Sequence, residues 1–215
     1  MKNAAVGFRV HSGWSALVAL SLEGNEPVVL RRGRIELVEA YHREFKQPYH
    51  SAEKMPFEEG REFISNAKKE AERLACRALQ EAQSELERDG RHLVGCGLLL
   101  ASGRPLPDLQ TILASHALIH TAEGELFREA LAGACERCQL RVFRVREKQV
   151  VGEAARALRT GEAAVLKRVT ELGRPLGSPW AQDEKFAALA AWLALRQNGK
   201  PSAPTQSNSP EARRV

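Results

Sequence analysis

The stretch His92 to Ser102, HLVGCGLLLAS, restricts the fold more than any other segment of the chain. From Leu93 to Ala101 it carries no charged side chain, and it shows no polar alternation. A strand of this kind is buried on both faces, which calls for a sheet covered by helices above and below. Gly95 and Gly97 within it predict the close approach of a neighbouring backbone. The fold class is therefore α/β.

The flanking segments supply the rest of such a sheet. Residues 4–10 (AAVGFRV) and 14–22 (WSALVALSL) read as strands joined at His11-Ser12-Gly13, where glycine gives the turn its backbone freedom. Gly24-Asn25 leads into a third strand over residues 27–38. Its Val28 and Leu30, then Ile35 and Leu37, alternate with polar neighbours, and the change of phase predicts a bulge near Gly33. These three make an antiparallel meander. Residues 40–56 read as a loop carrying Tyr41, His42, Tyr49 and His50, placed where it could cover a site.

Residues 57–88 form a long helix whose narrow stripe is Phe63, Ala67, Ala71, Leu74, Ala78, Ala82 and Leu86, stopped by Asp89-Gly90. The sheet accounts for that single stripe, which argues against a helix reserved for another chain. After the apolar strand, Asp108 is placed to cap a helix over 109–138. A last strand spans 140–146, and helices follow over 147–159, 162–172 and 183–196. The expected architecture is a mixed five-stranded sheet, a three-stranded antiparallel meander plus two parallel strands, flanked by helices. One domain covers residues 1–197, and the polar, Pro/Ser-rich segment 198–215 reads as a disordered tail.

The helix over 109–138 contains SHALIHTAEGE. Its apolar row runs Leu109, Leu113, His116, His120, Glu123, Phe127, Ala130, Ala134, Cys138, so two histidines and a carboxylate are expected to face the core. Buried polar groups without partners cost a few kcal/mol each, on the order of 1–3. Neighbouring side chains, a ligand or a metal ion could satisfy His116, His120 and Glu123, and the spacing leaves all three open. Imidazole ligands favour zinc, manganese or iron over magnesium. The glutamate of the HExxH zinc motif is absent. Cys135 and Cys138 form a CxxC without a second pair, so the four cysteines read as reduced, mostly buried thiols.

The net charge of +5 places basic clusters at Arg31-Arg32-Gly33-Arg34, from Arg141 to Lys148, and at Lys167-Arg168. Such clusters suit phosphate-rich partners such as nucleic acid. The chain has no run of about 18 apolar residues for a membrane span. The opening MKNAAVGFRV lacks the roughly 7–15-residue apolar core of a secretory signal. A cytoplasmic, membrane-free protein is expected; the oligomeric state is open.

Three stretches carry a family resemblance. They are Val6-Gly7-Phe8-Arg9-Val10-His11-Ser12-Gly13-Trp14-Ser15-Ala16, the run from Glu123-Gly124-Glu125 through Leu126, Phe127 and Ala130 to Leu140-Arg141-Val142-Phe143-Arg144-Val145, and Asp183-Glu184-Lys185-Phe186-Ala187-Ala188-Leu189-Ala190-Ala191. With the element order over residues 4–196, they make the chain resemble the ribonuclease H-like superfamily, closest to the RuvC-type crossover-junction endonucleases. The resemblance implies a nuclease cleft in which carboxylates hold two divalent metals. The family's strand-one aspartate falls at Arg9, and the strand-four glutamate falls in Val94 to Ser102, which has no acid. Asp183 and Glu184 stand at the carboxylate-bearing start of the last helix, and Lys148 lies near the family's lysine.

This comparison leads to two expectations. In the first, the protein is a nucleic-acid-associated or anion-binding module without classical nuclease activity. Arg9 and His11 then face an anion, and Arg141, Arg144, Arg146 and Lys148 contact nucleic acid. In the second, it is a metal-dependent hydrolase or nuclease using a divalent ion, zinc, manganese or magnesium. His116, His120 and Glu123 then bind that ion, with His11 or Asp183 completing the centre. Asp183 and Lys185 are the catalytic candidates, although Asp183 also suits a helix N-cap.

Overall fold

The computed structural model describes residues 1–101 and 105–198. Its centre is a five-stranded sheet of order β3-β2-β1-β4-β5. The strands β1 (Lys2–His11), β2 (Trp14–Glu23) and β3 (Glu26–Glu36) form the antiparallel meander. The doubly buried strand β4 (Arg91–Leu100) pairs with β1 in parallel, and β5 (Arg141–Arg146) pairs with β4 in parallel. The mixed sheet expected from the apolar run is therefore present.

Seven α-helices flank the sheet in the described residues, with three short 3-10 turns between elements: α1 (Pro48–Ala52), α2 (Phe57–Arg88), α3 (Leu109–Leu113), α4 (His116–Arg137), α5 (Val150–Leu158), α6 (Glu162–Leu172) and α7 (Gln182–Asn198). Strand side chains alternate between two layers. Val6, Phe8, Leu17, Cys96 and Leu98 pack with Leu79 of α2 and with Phe127 and Leu131 of α4. Ala5, Val18, Leu20 and Leu99 pack on the other face with Val150, Val165, Leu189 and Trp192 from α5, α6 and α7.

The glycines set the spacing of that second layer. Gly7 of β1 and Gly97 of β4 lie side by side in register. A Cβ on Gly7 would collide with the backbone carbonyl of Ala187, and one on Gly97 with that of Ala190. The alanine-rich α7 thus rests almost directly on the strand backbones. Arg32 of β3 anchors the approach to α7. Its guanidinium donates to the carbonyls of Leu176 (2.8 Å), Gly177 (2.8 Å), Ser178 (3.1 Å) and Pro179.

Several local expectations need correction. The β2–β3 ladder shifts register opposite Leu30, between the pairs Ala19–Arg31 and Leu20–Val29, and runs without a shift past Gly33. The helix expected over 109–138 is two helices, broken at Ala114-Ser115. Asp108 caps the first, accepting from the Thr111 amide at 2.9 Å. The segment 40–56 is more ordered than a loop, containing a 3-10 turn and α1. The tail expected from residue 198 lies, beyond Asn198, outside the described residues. No described helix is long and apolar enough to cross a membrane.

A methyl group at Gly97 would meet backbone, which cannot swing aside as a side-chain tip can. Gly97→Ala should therefore lower the urea midpoint at unchanged m-value, a loss of about 3 kcal/mol, the upper end of overpacking costs. Gly33→Ala, with open space around it, is the matched control.

Candidate functional site

The end of β1, the residue after β5 and the first turn of α7 meet at the carboxyl edge of the parallel strands. Brackets of this kind are where open α/β sheets bind ligands. Arg9 shares the parity of Gly7 and so points toward α7. Its Nε donates to Glu147 Oε2 at 3.1 Å and its Nη2 to Glu147 Oε1 at 2.7 Å, a bidentate pair. Its Nη1 donates to Asp183 Oδ1, which also meets His11 Nε2 at 2.9 Å. Arg9 Cζ lies 5.8 Å from the centre of the Phe186 ring. His11 stacks on Trp14 with centroids 4.2 Å apart, and Arg34 lies 4.1 Å over the same indole.

One guanidinium here faces two carboxylates, all half-buried. The hydrogen bonds from Arg9 to Glu147 raise the arginine pKa further; burial opposes this, and Asp183 adds to it. Burial pushes Asp183 upward, but the hydrogen bonds from Arg9 and His11 outweigh it and hold the carboxyl below its ordinary range. The acidic groups are gathered around a guanidinium that the chain itself supplies.

This geometry revises several site expectations. Arg9 and His11 already have anionic partners within the chain: Glu147 and Asp183 between them take a hydrogen bond from each guanidinium nitrogen, and Asp183 meets His11 Nε2. Asp183 lies inside the first turn of α7, while Glu184 reaches back to the Ala181 amide at 2.8 Å in the capping role. Lys185 is half-buried and forms no ion pair among the described residues. Glu147 escaped the sequence reading because it sits between Arg146 and Lys148 at a basic strand end. It is the one acid in the run Arg141 to Lys148, and that was the available signal.

The histidine–glutamate trio divides. His116 and His120 are exposed, whereas Glu123 is 3% exposed and buried at the base of α1. The buried row of α4 is Ile119, Ala122, Glu123, Leu126, Phe127, Ala130 and their successors, so the histidines are not core-facing. The row itself holds within α4, but the first turns of that helix pack in a small cluster with Ile112, apart from the main core, which leaves the two imidazoles exposed. Glu123 Oε1 accepts from the amides of Tyr49 (2.9 Å) and His50 (3.1 Å) and from His50 Nδ1 (3.1 Å), which caps α1. Burial pushes Glu123 up against the opposing hydrogen bonds from His50. Burial also raises the Tyr49 hydroxyl to about 12, with Glu129 and Glu123 adding to the effect. His50, which the sequence reading left in a loop, joins His116 and His120, while His11 and Asp183 do not. Together they form the one group of three or more His, Cys, Asp or Glu ligands found close together among the described residues.

The basic clusters also separate. Arg31 pairs with Glu85, Arg32 with backbone carbonyls, Arg34 with Glu36, and Arg168 with Glu26. Arg144 pairs with Glu136 at 3.2 Å. Arg141, Arg146 and Lys148 are exposed and make no ion pair among the described residues. All four cysteines are free thiols, with Cys96 and Cys135 buried.

Asp183 has its native pKa depressed, so its contribution to stability exists above the unfolded-state value of about 3.9 and disappears as pH falls through the native one. Urea midpoints of wild type and Asp183→Asn should therefore differ at neutral pH and converge in strong acid. A gap that persists unchanged in acid would remove the ion pairs as its source.

No protein-family model matches the chain, and no curated protein matches it in sequence. Solved structures do match in fold. One, titled Thermus thermophilus RuvC structure, aligns with a TM-score of 0.51 and 12% identity, covering 91% of this chain and 95% of that one. Another, T. thermophilus RuvC in complex with Holliday junction substrate, aligns with a TM-score of 0.52 and 11% identity, covering 91% and 94%. With the strand order and the flanking layers, these alignments identify the fold as ribonuclease H-like, of the RuvC type.

Proposed function

We propose that residues 1–197 act as one ribonuclease H-like module that associates with nucleic acid and does not hydrolyse it by two-metal chemistry. The observation that carries this reading is the Arg9 guanidinium between Glu147 and Asp183. Two-metal hydrolysis needs carboxylate oxygens free to take divalent cations on both sides of the scissile bond. Here a tethered cation takes up those oxygens, and β4 offers no acid to add to them. A second cation brought near Arg9 would also meet repulsion of like charge.

The nucleic-acid part of the reading draws on two further supports. The similar T. thermophilus RuvC structure holds a Holliday junction substrate. Arg141 at the start of the edge strand, and Arg146 and Lys148 at and beyond its other end beside Glu147, are exposed and make no ion pair among the described residues. Phosphate contact is the chemistry that such unpaired basic side chains serve. A cytoplasmic location accords with four unpaired thiols.

Single-stranded, duplex and branched DNA should bind with affinity that falls as salt rises. Arg146→Ala and Lys148→Ala should each reduce the slope of log affinity against log salt by about 1. A flat salt response would overturn the nucleic-acid assignment. With Mg²⁺ or Mn²⁺ present, none of these substrates should be cleaved. Cleavage that Asp183→Asn abolishes would overturn the non-catalytic reading.

A further inference from the structure

On the face of the sheet opposite Arg9, three imidazoles from two separate segments converge. His116 and His120 stand one turn apart on α4, with their Nε2 atoms 3.0 Å from each other. His50 comes from α1, and its ring centroid lies 5.4 Å from that of His116 and 4.7 Å from that of His120. One ring nitrogen from each of the three lies within 4.8 Å of the others. We propose that His50, His116 and His120 form a binding site for a zinc-class divalent transition ion, with Glu123 as the positioning residue.

The distances suit that ion. Tetrahedral zinc with bonds of about 2.0 to 2.1 Å sets its nitrogens about 3.3 Å apart. The His116–His120 pair is near that spacing already, and a small approach by His50 closes the third edge. The donor set is all nitrogen, which favours zinc, cobalt or nickel over magnesium or calcium. Three protein ligands leave a fourth position, and the exposure of His116 and His120 opens it to solvent.

Glu123 supplies the independent observation. It is a buried carboxylate, and its Oε1 takes the His50 Nδ1 together with two amides of α1. A bond from Nδ1–H to a carboxylate fixes the tautomer, leaves the lone pair on Nε2 and makes that nitrogen a better ligand. Glu123 Oε2 is buried and has no hydrogen-bond partner among the described residues. An otherwise costly buried negative charge lies one imidazole away from where a dication would sit, and the ion would offset it. Without a cation, the contact that links His116 and His120 is a single N–H···N hydrogen bond.

Bound metal would also tie α1 to the first turns of α4, fixing the segment between β3 and α2 that sequence alone shows as loop. The site uses no residue of the Arg9 cluster, so its fate is separate from that of the nucleic-acid reading.

The test is calorimetric titration of the chelator-treated, full-length protein with Zn²⁺, and with Co²⁺ followed by visible absorption. One ion per chain and the intense absorption of low-coordinate Co²⁺ are expected, with a rise in Tm on loading. Glu123→Gln keeps the acceptor oxygen and should weaken binding by about 10–100-fold. His50→Ala should weaken it further, and His120→Asn likewise, while His92→Ala, remote on β4, should leave it unchanged. Circular dichroism shows that each variant is folded. Absence of saturable binding in the wild type would overturn the proposal, as would binding that folded His50→Ala or Glu123→Gln retains in full.

Discussion

The Arg9 guanidinium is the contact on which the arrangement of the cleft depends. It donates from three nitrogens to two carboxylates that belong to different parts of the chain. Glu147 follows β5, Asp183 lies in the first turn of α7, and Arg9 lies near the end of β1. Three element ends that local propensity would leave independent are thereby held at one point. Bidentate geometry makes the arrangement directional, because a planar fork must lie in the plane of the carboxylate it meets. Lysine could supply the charge but not the orientation.

Much of the fold was legible because it rests on hydrophobic pattern. The doubly buried strand from His92 onward demanded helices on both faces, and alternation in the first three strands gave the meander. The bulge was misplaced because the apolar phase changes over several residues, whereas the ladder absorbs the extra residue at Leu30. The long helix after β4 was joined across Ala114-Ser115 because a helical repeat carries across a break of two residues. His116 and His120 do share the row of Glu123 and Phe127, but they stand on the first turns of α4, apart from the main core, and so are exposed.

Sites were less legible, for a different physical reason. Periodicity reports which residues share a face of one element, and a site is built from several elements. Glu147 and His50 were each hidden in neighbourhoods of another character, a basic strand end and a Pro-containing connection. What each meets is far away in sequence: Arg9 for Glu147, and His116, His120 and Glu123 for His50. Charge counting failed similarly. Arg31, Arg32 and Arg34 look like a phosphate patch as letters, yet all three are engaged within the fold.

The layer beneath α7 has a mechanical corollary. Where Gly7 and Gly97 face Ala187 and Ala190, main chain rests on main chain, with no side chain between them to change rotamer and absorb a displacement. Such a junction behaves as a stiff coupling. A displacement of α7 at this junction therefore presses directly on the backbones of two adjacent central strands, β1 and β4.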